Sequence, residues 1–164
     1  MVNNILDKLT SKDRETIKKH TNNYPVKLGA LAKNLGVKIK VKALNRGISG
    51  QISKEDDIYV IRVNRYEARE RQRFTIAHEL AHYFLHQDII DESGIQDNVL
   101  YRSGAPEIVE FEANRLAANI LMPSNLIKEK LKEYRGELND EIIEQLAKEF
   151  EVSKGAMEIR LQGH

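Results

Sequence analysis

Apolar residues recur along this chain with two different periods, and the switches between them divide it into elements. Ile5, Leu6, Leu9 and Ile17 are spaced as the apolar side of a short helix within an otherwise polar stretch, 1–20. From Pro25 onward, Val26, Leu28, Leu31, Ala32 and Leu35 cluster as one helical face, which Gly36 stops. Val37-Lys38-Ile39-Lys40-Val41 then alternates strictly, the pattern of a strand with one buried face. Residues 48–53 and 57–63 predict two more strands, with Glu55-Asp56-Asp57 as the hairpin turn between them. From about 67 to 86 the pattern turns helical. Phe74, Ala77, Ala81 and Leu85 line one side while Ile76, Leu80 and Phe84 line another, so this helix is expected to be central and buried. Residues 87–105, with Gly94 and Gly104, predict a long loop. Pro106 opens a second helix that runs to Met122, where Pro123 ends it. Further helices follow at about 124–134, 140–150 and 154–162, with Asp140 and Ser153 as N-caps of the last two. The order, a helix, three strands and then helices, predicts an α+β fold with a small three-stranded sheet beside a central helix.

A chain of 164 residues supports one compact domain with a real core, 1–164, in which 1–20 is a peripheral helix and 124–164 a C-terminal helical part. With 41% hydrophobic and 31% charged residues it belongs with folded rather than disordered chains. A net charge of +1 gives no overall field directed at nucleic acid or an anionic membrane. There is no cysteine, which excludes disulfides and leaves His, Asp and Glu for any metal chemistry. No apolar run approaches the roughly 20 residues that span a bilayer, and the first residues lack a signal peptide's apolar core, so a cytoplasmic location is expected.

The stretch that carries chemistry is His78-Glu79-Leu80-Ala81-His82, an HExxH motif. One helical turn separates the histidines, so both imidazoles leave the same face and can meet one metal ion, with zinc the expected cofactor. Glu79 lies beside them, within reach of a water at the metal's open position, and suits a general base for attack on a carbonyl. The competing reading is a surface helix that happens to carry these residues. The apolar setting argues against it, because ionisable groups are costly to bury without a partner. His86 continues the spacing, but His78 and His86 are about 12 Å apart along a straight helix, too far to share one tetrahedral ion. A helix-end or ligand-supporting place is expected for it. The third ligand should come from the second helix, Glu110-Phe111-Glu112-Ala113-Asn114-Arg115-Leu116-Ala117-Ala118. Glu110 shares a face with Ala113, Asn114 and Ala117, whose small alanines permit close approach, while Glu112 sits about 200° further round. Glu110 is favoured and Glu112 is the alternative. Asn114 could orient a ligand.

These segments, Arg71 to His86 and Glu110 to Pro123, resemble the ImmA/IrrE family of small zinc peptidases, and the likeness runs from about Pro25 to the C-terminus. The resemblance implies a reduced thermolysin-like (gluzincin) fold and a glutamate ligand from the second helix that maps onto Glu110. It also implies a hydrolase of narrow specificity, a metalloprotease cutting a helix-turn-helix transcriptional repressor of a phage, mobile element or stress operon. Position 81 is Ala where Gly is common, and 116 is Leu where Phe is common. The alternative function is a non-catalytic zinc-containing sensor or repressor-binding module; Glu79, which a purely structural site does not need, favours the enzyme. The segment from Leu146 to Met157 is reminiscent of a helix-turn-helix, yet Lys154, Arg160 and Gln162 are too few for a DNA-reading face, so packing or repressor contact is expected there instead. Tyr83 and Tyr101 have the donor chemistry for oxyanion stabilisation.

Overall fold

The computed structural model describes residues 4–98, 104–135 and 137–163. A 3₁₀ turn (Ile5–Lys8) leads into α1 (Ser11–His20) and α2 (Leu28–Leu35), followed by β1 (Lys38–Lys42), β2 (Ile48–Glu55) and β3 (Ile58–Asn64). Then come α3 (Arg69–Leu85), α4 (Gln87–Ser93), β4 (Ile95–Asn98), α5 (Glu107–Leu121), α6 (Ser124–Glu133), α7 (Asp140–Phe150) and α8 (Lys154–Leu161). The class is α+β, as the element order predicts. The sheet, however, has four strands rather than three, in the order β1-β3-β2-β4. β1 runs parallel to β3, whereas β2 is antiparallel to both β3 and β4. The fourth strand and α4 lie inside the stretch expected to be a loop.

Most boundaries follow from local chemistry. Asp56 and Asp57 take positive φ, which the tight β2–β3 hairpin requires and which Asp tolerates better than most residues. Gly36 closes α2 in the left-handed conformation. α2 begins at Leu28 rather than at Pro25, because the preceding residues are used elsewhere: Tyr24 stacks on Phe150 and the Val26 carbonyl accepts from Arg73. The N-cap of α7 is Asn139, one residue before the expected Asp140, and Ser153 caps α8. β1 departs from the alternating expectation, since Val41 is 51% exposed and Ile39 is only half-buried.

α3 packs on β2 and β3 and lies alongside α5. Thr75, Ala77, His78, Glu79, Leu80, Ala81 and His82 are all fully buried, so α3 is the central helix that its two apolar sides predict. One hydrophobic cluster extends from Ile5, Leu9 and Ile17 through the sheet and α5 to Phe150, Met157 and Leu161. Polar bonds fix α8 within this assembly: Arg160 donates from Nε to the Met122 carbonyl at 2.9 Å and from Nη2 to Asn119 at 3.2 Å. The Arg160 guanidinium is thus turned inward. Among the described residues, no helix is long and apolar enough to cross a membrane.

Candidate metal centre

α3 delivers His78 and His82 one turn apart, and their Nε2 atoms converge to 3.1 Å. Glu110 enters from α5 with its two carboxylate oxygens each 3.2 Å from one of those nitrogens. A fourth group completes the cluster. Asp97, on β4, places Oδ2 3.4 Å from His78 Nε2 and 3.7 Å from His82 Nε2. Donor atoms of all four residues lie within 4.8 Å of one another, and the four could hold a metal ion. With ligand bonds of about 2.0–2.1 Å, the edges of a tetrahedral site measure about 3.3–3.4 Å. The observed separations cluster around that value.

The electrostatics also call for a cation. Neither oxygen of Glu79 nor of Asp97 accepts a hydrogen bond from a described residue, although both side chains are fully buried. Burial, reinforced by the charges of Asp97 and Glu110, pushes the Glu79 carboxyl well above its ordinary range. Burial alone would raise Glu110 too, yet the two imidazoles hold it far below the usual carboxylate range. Burial opposes a charged His78, but the Asp97 and Glu110 carboxylates outweigh it and push that imidazole up to about 9. Burial lowers His82, and the neighbouring His78 adds to the effect. Three carboxylates around two imidazoles in a dry pocket match the donor chemistry of a divalent ion.

The imidazoles are also oriented from behind. His78 Nδ1 donates to Asn114 Oδ1 at 2.9 Å, which leaves the Nε2 lone pair facing the cluster. His82 Nδ1 lies 3.0 Å from His86 Nδ1, and His86 Nε2 lies 3.0 Å from Glu112 Oε2. The consistent assignment has His82 donating to His86, and His86 donating to Glu112, which pairs in turn with Lys8. Glu112 therefore stands outside the donor cluster and supports it through His86.

Sequence spacing brings His78, Glu79, His82 and Glu110 to one place, and the structure adds Asp97. Nothing in Asp91-Glu92-Ser93-Gly94-Ile95-Gln96-Asp97-Asn98 marks that aspartate; its importance comes from strand pairing, which sets it opposite Gly50. Tyr83 packs edge-on against Tyr59 and Phe84 rather than into the cluster. Tyr101 lies outside the described residues.

A peptidase family profile, the IrrE N-terminal-like domain, matches residues 32–162, a span that includes the whole cluster. The chain belongs to this family. No curated protein gives a significant sequence match to this IrrE-like chain. Seven chains of known structure do match in fold. One is a Mycobacterium tuberculosis transcriptional regulator, with a TM-score of 0.57 at 16% identity over 93% of the present chain and 49% of that one. The IrrE-like chain thus spans about half the length of that regulator, and the likeness is one of fold.

Proposed function

We propose that this protein is a zinc-dependent endopeptidase of narrow specificity, acting in the cytoplasm on a helix-turn-helix transcriptional repressor. His78, His82 and Glu110 are the metal ligands in this reading and Glu79 is the general base. The observation that carries it is the buried Glu79 carboxylate, without a hydrogen-bond partner among the described residues, beside the histidine pair. Zinc, when bound there, supplies a Lewis acid that polarises a carbonyl and lowers the pKa of water. Glu79 takes the proton of the attacking water on a carboxylate oxygen and passes it to the departing amide nitrogen, so the peptide bond is replaced by a carboxylate and an amine. Asn114 and His86 keep the two imidazoles in the ligating tautomer.

A ligand helix followed by a glutamate from a second helix supports the reduced thermolysin-like reading of the fold. Membership in a peptidase family supports hydrolysis. The occurrence of the fold in a transcriptional regulator is consistent with a regulatory target. An apolar groove of about 750 Å³ between α3, α5 and α8, lined by Phe74, Asn114, Ala118, Met122, Val152 and Ile159, gives a folded substrate a place to dock beside the cluster. The second reading, a non-catalytic zinc-containing module that binds the repressor, is favoured by Asp97 at the fourth corner of the donor set.

The test is incubation of the zinc-loaded chain with the helix-turn-helix repressor encoded nearest to it, with products mapped by mass spectrometry. Cleavage at one site is expected, and generic casein should stay largely intact. Glu79→Gln should keep its zinc and slow cleavage by roughly 10²–10⁴-fold. A repressor that binds and stays whole establishes the binding-module reading instead.

A further inference from the structure

We infer that Asp97 is a fourth protein ligand that closes the metal centre, and that β4 is the removable stopper that carries it. The inference rests on the reading of His78, His82 and Glu110 as ligands and extends it. Catalytic zinc sites keep one position open for water or substrate, whereas sites with four protein ligands are closed. Asp97 occupies the fourth position. Its side chain is 0% exposed, neither of its oxygens accepts a hydrogen bond from a described residue, and Oδ2 sits 3.4 and 3.7 Å from the two imidazole nitrogens. A buried carboxylate in that state needs positive charge nearby, and among the described residues this comes either from the His78 imidazole at 3.4 Å or from an ion that Asp97 would share with His78, His82 and Glu110.

The four donors are held with unequal firmness. The histidines and Glu110 project from helices of 17 and 15 residues packed against each other. Asp97 comes from β4, which among the described residues lies at the edge of the sheet. Among the described residues that strand pairs with β2 alone, through Ile48, Gly50, Gln51 and Ile52, and its register is interrupted between Ile48 and Gly50. β4 also takes the backbone groups of β2 that an extended peptide would use if it joined the sheet antiparallel. β4 therefore covers both the metal's fourth position and the β2 edge alongside it. Displacing β4 from β2 frees the two together, so an extended peptide that replaces β4 would meet an open metal site. The closed state accounts for the second reading above, and the displaced state for the first.

The experiment uses the full chain loaded with cobalt(II) in place of zinc and acetohydroxamate as a small probe of an open coordination position. Cobalt's visible spectrum reports the coordination change directly, without any hydrolysis. Circular dichroism checks the fold of Asp97→Ala and of Asp97→Asn, which preserves side-chain volume; if the alanine variant does not fold, the asparagine variant carries the test. Expected are cobalt binding weaker by roughly 10–100-fold in the variants, by chelator competition, and acetohydroxamate binding at least about tenfold tighter in them than in the parent, as follows when the parent is open less than a tenth of the time. A parent protein that takes up acetohydroxamate as readily as the variants, or an Asp97→Asn protein that holds cobalt as tightly as the parent, overturns the closure alone. A parent that takes up no cobalt overturns the metal centre itself.

Discussion

Replacing Gly50 by alanine should loosen the sheet from α3 and disturb the metal centre through a single methyl group. A Cβ at this position would lie 2.4 Å from Thr75 Cγ2, 2.9 Å from the Arg62 carbonyl oxygen and 3.5 Å from Glu79 Oε1. The first two distances are well inside van der Waals contact. Thr75 is fully buried and the Arg62 oxygen is backbone, so neither can swing aside. β2 must therefore move away from α3. Overpacking of this kind costs about 1–3 kcal/mol, and restricting the unfolded chain returns about 0.4–1 kcal/mol. Mid-range values of the two leave a net loss of about 1–2 kcal/mol. At about 2–4 °C per kcal/mol for a domain of this size, Tm should fall by about 2–8 °C. Because Gly50 faces Asp97 across the β2–β4 ladder, zinc affinity should fall as well. Thermal unfolding by circular dichroism and zinc competition against a chelator measure the two effects. Gly29→Ala is the control: a Cβ there has nothing within 4 Å, and a helical glycine replaced by alanine should stabilise by about 0.5–1 kcal/mol. If Gly50→Ala melts within about 1 °C of the parent and binds zinc equally well, close approach at Gly50 does not set the geometry of the centre.

Asn114→Ala removes the acceptor that fixes His78, so zinc affinity should fall by roughly 10–100-fold, whereas Asn114→Asp should retain most of it; chelator competition reads both. Metal analysis should find Glu110→Gln depleted of zinc after dialysis and Glu112→Gln still carrying about one ion per chain; the reverse result would exchange their roles. Phe150 is fully buried and stacked on Tyr24 at 4.4 Å between ring centroids, so Phe150→Ala should cost about 3–5 kcal/mol in urea unfolding with zinc present.

The parts of the fold legible in the sequence are those whose determinants are local. α3 announced itself because both of its sides are apolar over five turns, and the β2–β3 hairpin because two aspartates stand between two alternating runs. Proline and glycine marked the ends of α2 and α5 to within a few residues. What escaped was set by distant partners. Residues 87–98 show no sustained period, since β4 exists by pairing with β2, more than forty positions earlier. Asp97 is invisible for the same reason: an aspartate in a polar stretch is unremarkable until a strand ladder places it in a dry pocket. His86 lay between these cases. Its spacing argues against sharing an ion with His78, and its bond to His82 depends on the helix ending at that residue. β1 shows the opposite error, where strict alternation did not bring a fully buried face: on this edge strand Val41 is exposed and Ile39 only half-buried.

The family profile begins at residue 32, but the cooperative unit begins earlier. Ile5, Leu9, Ile17, Val26, Leu28 and Leu31 lie in the same apolar cluster as the sheet and α5, and Lys8 terminates the run of polar contacts that starts at His82. The matched span and the packed core therefore have different borders in this protein. A fragment cut at residue 32 would expose a greasy scar where six aliphatic side chains had been seated, and it would leave Glu112 without Lys8. Anyone who trims the chain to its matched part should expect a sticky protein with a weakened grip on metal, and should not mistake that loss for a defect at His78 or His82.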